Sequence, residues 1–133
     1  MAAKILNATK IITDVEYQSI ESQDLNMAEV SELIVELVPS AEMVRFGKNG
    51  SDATSAAIRL ARAFTGRDHV VVCGYHGWQD WFIGSTTRNK GVPKSVASLT
   101  HKFEFNDIDS LKQVMSEFGS KIAGVIMEPM NSV

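Results

Sequence analysis

Residues 46–73 read "FGKNGSDATSAAIRLARAFTGRDHVVVC", and residues 74–81 continue "GYHGWQDW". A glycine-bearing turn opens an alanine-rich helix, and an apolar strand follows it. Ser51 is expected to cap the helix, with Asp52 in its first turn complementing the dipole. Ala53, Ala56, Ala57, Leu60, Ala61 and Phe64 recur at helical spacing and are expected to form its buried stripe. Gly66 supplies the stop. "HVVVC", His69–Cys73, is a short continuous apolar run of the kind buried on both faces of a sheet.

The rest of the chain extends this pattern in both directions. Upstream, Met27, Val30, Leu33, Ile34 and Leu37 predict a helix from Asn26 to Val38. Asn26 and Glu29 have capping-box spacing, and Pro39 ends the helix. "EMVRF", Glu42–Phe46, reads as a short strand. Downstream, residues 74–93 carry four glycines and read as loop. "SLTHKFEFN" holds a further strand. Asp107 caps a helix running to Phe118, with Leu111, Val114, Met115 and Phe118 inward. "KIAGVIMEP" is a second strand expected to be fully buried, closed by Glu128-Pro129. Helices alternating with apolar strands predict an α/β fold with a mostly parallel sheet and flanking helices. Residues 1–21 are poorly patterned, and residues 22–133 form the domain proper.

Composition narrows the class without naming a function. The chain has 133 residues, 44% hydrophobic and 22% charged, with a net charge of −3. No basic patch points to nucleic acid or to a membrane surface. No apolar run approaches the ~20 residues that span a bilayer. The N-terminal stretch lacks the long apolar core of a signal peptide. With Cys73 as its one cysteine, the sequence permits no internal disulfide, and a cytoplasmic setting is expected.

Three places can carry chemistry. "GKNGSDA" presents backbone N–H groups at a helix start, a ready phosphate site, and Ser51 adds a hydroxyl. It lacks the Gly-Lys-Ser/Thr ending of a P-loop, and the same pattern serves an ordinary capped helix that binds nothing. "GYHGWQDW" follows a buried strand, at the sheet end where ligands gather. Tyr75 can stack on a flat ring and His76 can donate or accept a proton. Equally, these rings can simply pack a loop. Cys73 and His76 make a C-x-x-H pair with no partner pair, too few ligands for zinc, and Cys73 reads as inert. Glu128 ends a core strand, where a carboxylate is costly unless paired or solvated. A functional role and a salt bridge at the sheet mouth both satisfy it. Together the three places suit a small, flat, phosphorylated ring.

"VRFGKNGSDATSAAIRLARAFTGRDHVVVCGYHGW", "FNDIDSLKQVM" and "IAGVIMEPM" resemble the class III (ω-type) aminotransferases, and most closely their glutamate-1-semialdehyde 2,1-aminomutase-like branch. The resemblance starts near "ELIVELVPSAEMVRF" and covers about residues 22–130. It implies part of the large cofactor-binding domain of a pyridoxal 5'-phosphate (PLP) enzyme of fold type I, acting as a homodimer on an amino donor and a carbonyl acceptor. It also implies roles for residues of this chain. Asn49-Gly50-Ser51 stands where the family's Ser-Gly-Thr turn cradles the cofactor phosphate. Tyr75 stands where an aromatic ring stacks on the pyridine, with His76 bracing the site, and Glu128 lies near cofactor and substrate. "NGSDATSAA" and "YHGWQDW" depart from the usual aminomutase wording, which leans the reading toward an aminotransferase of another substrate.

The family's Schiff-base lysine and its pyridine-pairing aspartate fall beyond Val133. No lysine of this sequence sits in such a motif, so no catalytic residue is assigned. The chain is therefore expected to be a fragment, inactive by itself. The competing expectation is a non-catalytic small domain that binds a phosphorylated ligand or a protein partner.

Overall fold

The computed structural model describes residues 27–130. The expected N-terminal segment 1–21 and the Asn26 cap lie outside the described residues. Two compact units divide the chain, residues 1–53 and 54–133, with the boundary inside a helix.

In the first unit, helix α1 spans Met27–Leu37. Its predicted apolar face exists, but none of its residues is buried. Pro39 cannot continue the helix, and a turn closed by the Ala41 N–H on the Val38 carbonyl follows. The strand expected at Glu42–Phe46 does not form; the backbone there is irregular. A strand needs a paired neighbour, and the sheet among the described residues is made by three later segments. Helix α2, Gly50–Thr65, begins in this unit.

The second unit is organised around strand β1, His69–Cys73. Its parallel neighbours are β2, Thr100–Lys102, and β3, Ile122–Met127, in the order β2-β1-β3. Val70, Val71 and Val72 are wholly buried because both faces of β1 are covered. Val70 and Val72 pack with Ile58, Trp81 and Phe82, while Val71 and Cys73 pack with Phe103 and Ile122. Leu111, Val114 and Phe118 of helix α5, Ile108–Phe118, close the second face. The Asp107 side chain caps α5 as expected, accepting the Asp109 and Ser110 N–H groups, each at 3.0 Å. Met115, expected inward, is exposed.

Two expectations about burial are corrected. The buried side of α2 carries Ala53, Thr54, Ile58 and Ala61, whereas Leu60 and Phe64 are 66% and 63% exposed. Both stripes are apolar, so periodicity alone cannot choose between them. Ile58 decides it by filling the space beside Val70 and Val72. Ala61 then lies so close to β3 that a Cβ on Gly124 would be 3.6 Å from its own. Strand β3 is half-buried from Ala123 to Ile126 and exposed at Met127; among the described residues it has a neighbour, β1, on one side only. The stretch read as loop holds two short helices, α3 at Asp80–Ile83 and α4 at Lys94–Ala97.

A pair of histidines joins β1 to β2. His69 Nδ1 and His101 Nε2 are 2.8 Å apart, with the rings 3° from parallel. Phe118 lies on the face of His101, centroids 3.8 Å apart. One facing nitrogen donates and the other accepts, so charging both rings would set two N–H groups against each other. Burial, and then the neighbouring His69, hold the His101 pKa below its ordinary 6.5, while Glu117 pulls the other way. The folded state thus binds fewer protons than the unfolded chain as pH falls below that value. Stability is full above pH 6.5 and is lost as pH drops through the folded pKa. The thermal midpoint of the chain is expected to fall between about pH 7 and about pH 5, and His101→Gln to lose most of that slope. An unchanged slope in His101→Gln would rule the pair out as its source.

Candidate functional site

The turn before α2 is built by reciprocal side-chain bonds. Asn49 Oδ1 accepts the Asp52 N–H at 3.1 Å, and Asp52 Oδ2 accepts the Lys48 N–H at 3.0 Å. Asn49, rather than Ser51, is therefore the helix cap. Ser51 sits one residue inside the helix, half-buried. A Cβ placed on Gly50 would meet nothing within 4 Å, so the turn is open at the position where a ligand would approach its backbone.

In the second unit the chain leaves β1 through Gly74 and Gly77, both with positive φ, +91° and +108°. Gly74 has a further constraint: a Cβ there would lie 3.0 Å from Glu128 Cδ. Glycine is thus demanded twice, by backbone conformation and by the carboxylate beside it. Between these glycines, Tyr75 and His76 face opposite environments. Tyr75 is 65% exposed, and its ring meets Phe82 edge-on at 5.6 Å and 87°. His76 is buried, its Nε2 2.8 Å from the Cys73 carbonyl oxygen. A carbonyl only accepts, so this nitrogen carries the proton. The His76 carbonyl in turn accepts the Thr54 hydroxyl at 2.8 Å. His76 therefore holds the loop from beneath rather than presenting its ring outward.

Glu128 follows β3 and reaches the same place. Its N–H donates to the Cys73 carbonyl at 3.3 Å, and its Oε1 accepts the Tyr75 N–H at 3.4 Å. Glu128 also borders a cavity of about 280 Å³ that continues along Cys73, Gly74, Lys102, Phe103, Glu104 and Phe105. Burial first, then Glu104 and Glu128, push the Cys73 thiol above its ordinary value. It stays protonated and unreactive at neutral pH.

The structure thus brings Tyr75, His76 and Glu128 together at the carboxyl ends of β1 and β3. Asn49, Gly50 and Ser51 form their own turn in the first unit. Sequence reasoning missed Gly74, Thr54 and Phe82. A glycine directly after a buried strand was a usable signal for the first. A hydroxyl in a stripe of alanines was one for the second. No described group of three or more His, Cys, Asp or Glu residues is placed to hold a metal ion. No described helix is long and apolar enough to cross a membrane.

No family model matches the chain. Individual proteins do. Glutamate-1-semialdehyde 2,1-aminomutase of Aquifex aeolicus is 41% identical over 113 residues, covering 76% of this chain and 26% of that protein. The 3-aminobutyryl-CoA aminotransferase of Cloacimonas acidaminovorans is 40% identical over 95 residues, covering 71% of this chain and 22% of that protein. Among solved structures, the FumI protein of Sphingopyxis sp. MTA144 with PLP is 30% identical at a TM-score of 0.64, over 92% of this chain and 29% of that one. The chain spans about a quarter of the length of the curated relatives it matches, 26% in the first. Their agreement in sequence, and the shared parallel sheet with its covering helices, lead to one assignment: the chain belongs to the class III, glutamate-1-semialdehyde 2,1-aminomutase-like aminotransferases of PLP-dependent fold type I, and corresponds to a part of them.

Proposed function

We propose that this chain carries part of a PLP cradle in an enzyme that transfers an amino group. The observation that carries the reading is the Tyr75–Glu128 junction: an exposed aromatic ring and a carboxylate held side by side where two parallel strands end. The reading has three working parts. Asn49, Gly50 and Ser51 take the phosphate, through a helix start whose backbone is open at Gly50. Tyr75 offers its ring face to the pyridine. Glu128 sets a negative charge at the mouth, its orientation limited by the Tyr75 N–H and by Gly74. His76 supports these from within the loop. When bound, PLP supplies an electron sink for chemistry at an amino-bearing carbon. The chain's own residues bind, orient and set charge.

Relatives of nearly equal identity include an aminomutase and an aminotransferase, so amino-group transfer is the level at which the reading is made. A small-molecule amino donor and a carbonyl acceptor are the matching substrates, and a homodimer the matching assembly. None of the eight lysines in this sequence sits in the motif expected for covalent attachment of the cofactor. The 133-residue polypeptide is accordingly expected to bind without turnover. Keto acid formed from an amino donor above a no-protein control would overturn that.

Binding is best tested with pyridoxamine 5'-phosphate, which cannot form an imine with surface lysines, by following the fluorescence of Trp78 and Trp81. Saturable binding is expected, weakened about two- to tenfold by Tyr75→Ala. Absence of saturation, or equal affinity in Tyr75→Ala, would reject the stacking role. Equal binding of inorganic phosphate and pyridoxamine phosphate would favour a simple phosphate-binding domain. Gly74→Ala tests the junction itself. It is expected to cost about 1–3 kcal/mol of stability from the disfavoured φ. Adding Glu128→Ala should recover the part due to the clash and leave the part due to φ. Strict additivity of the two changes would show that Gly74 and Glu128 do not share a constraint.

A further inference from the structure

We propose that Phe82 is a positioning residue for the Tyr75 ring, fixing the plane that this exposed ring presents at the mouth of the sheet. The inference rests on the reading of Tyr75 as the stacking residue, and extends it to a core side chain that touches no ligand. Phe82 is 3% exposed and packs with Ile58, Val70, Val72 and Trp81. Three other rings meet it at steep angles. Tyr75 and His76 each lie 5.6 Å away, at 87° and 83°, and Trp81 lies 5.8 Å away at 63°. One buried ring therefore contacts both side chains of the Tyr75-His76 loop. Edge-to-face contact sets the positive rim of one ring on the negative face of another, so it selects an orientation as well as a distance.

Phe82 is itself held firmly. It belongs to α3, whose Trp81 is tied on two sides. Trp81 Nε1 donates to Ser55 Oγ at 3.0 Å, and the Trp81 carbonyl accepts the Thr100 hydroxyl. The loop backbone is fixed separately, by Thr54 on the His76 carbonyl and by His76 on the Cys73 carbonyl. With the backbone held, the freedom left to Tyr75 is rotation of its side chain, and the Phe82 ring limits that rotation. A ring ordered in advance loses less entropy when a flat ligand stacks on it. Loss of Phe82 should therefore weaken binding chiefly through Tyr75, since His76 keeps its bond to the Cys73 carbonyl.

The sequence makes the test simple, because it has two tyrosines, Tyr17 and Tyr75. In a Tyr17→Phe background, ring-labelled tyrosine gives NMR signals from Tyr75 alone, in the chain without ligand. Wild-type signals are expected to be displaced from those of free tyrosine. Phe82→Leu, which keeps an apolar side chain but removes the ring face, should return them toward free values. Pyridoxamine 5'-phosphate titration supplies the second readout. Phe82→Leu is expected to weaken binding about two- to tenfold in the Tyr75 chain, and by less than about twofold when Tyr75→Ala is already present. Unmoved Tyr75 signals in Phe82→Leu would overturn the proposal. So would an equal loss of affinity with and without Tyr75, which marks general damage to the core. If Tyr75→Ala alone leaves affinity unchanged, the stacking role fails and positioning for binding fails with it. Displaced Tyr75 signals would then still identify the Phe82 contact as structural.

Discussion

The carbonyl oxygen of Cys73 is the point on which the site depends. It ends β1, and it takes two donors: His76 Nε2 from the loop just beyond it, and the Glu128 N–H from the end of β3. A buried carbonyl has two lone pairs and is costly to leave unpaired. Here both are used, and each bond carries a different segment. One folds the loop back under itself, which turns Tyr75 outward. The other brings the exit of β3 beside that loop, which sets the Glu128 carboxylate against Gly74 and the Tyr75 N–H. The positions of the exposed ring and of the carboxylate therefore share one backbone atom as their origin.

That atom is fixed because β1 is fixed. Three consecutive valines with no exposure require cover on both faces and pairing on both edges. Parallel pairing supplies the edges, and parallel strands need crossovers, which here are the segments carrying α3, α4 and α5. The faces are supplied by Ile58 of α2 on one side and by Phe118 of α5 on the other. Ala61 of α2 lies over Gly124 of β3, where an added Cβ would sit at ordinary contact distance, 3.6 Å. Of the five alanines in that helix, Ala53 and Ala61 are buried, while Ala56 and Ala63 are exposed, so packing accounts for part of its alanine content only.

Much of this was legible in the sequence, and what was not has physical causes. The "HVVVC" run could only be a doubly covered strand, and Asp107 could cap α5 because its partners are two and three residues away. Such features depend on neighbours in the chain. The side of α2 that is buried depends on Ile58 meeting Val70 and Val72, and no local pattern contains that meeting. "EMVRF" has strand-like residues but pairs with no strand among the described residues, which propensity cannot report. The half-burial of β3, with one neighbour among the described residues, is likewise not legible in composition. At the site, Tyr75 and Glu128 were legible as residue types at strand ends. Their shared hydrogen bond was not, since it needs the register that sets Cys73 opposite Met127.

The same geometry explains why the C-x-x-H pair is not a reactive centre. His76 spends its Nε2 proton on the Cys73 carbonyl, not on the Cys73 thiol. The thiol is buried, and carboxylates at Glu104 and Glu128 oppose its ionisation. A nucleophile needs the reverse, an exposed sulfur near a cation. The burial that makes β1 a rigid support thus also silences its one reactive side chain. What remains at the surface is a ring and a charge. Under the proposed reading those groups orient a flat ring, and the bond-making chemistry belongs to the cofactor.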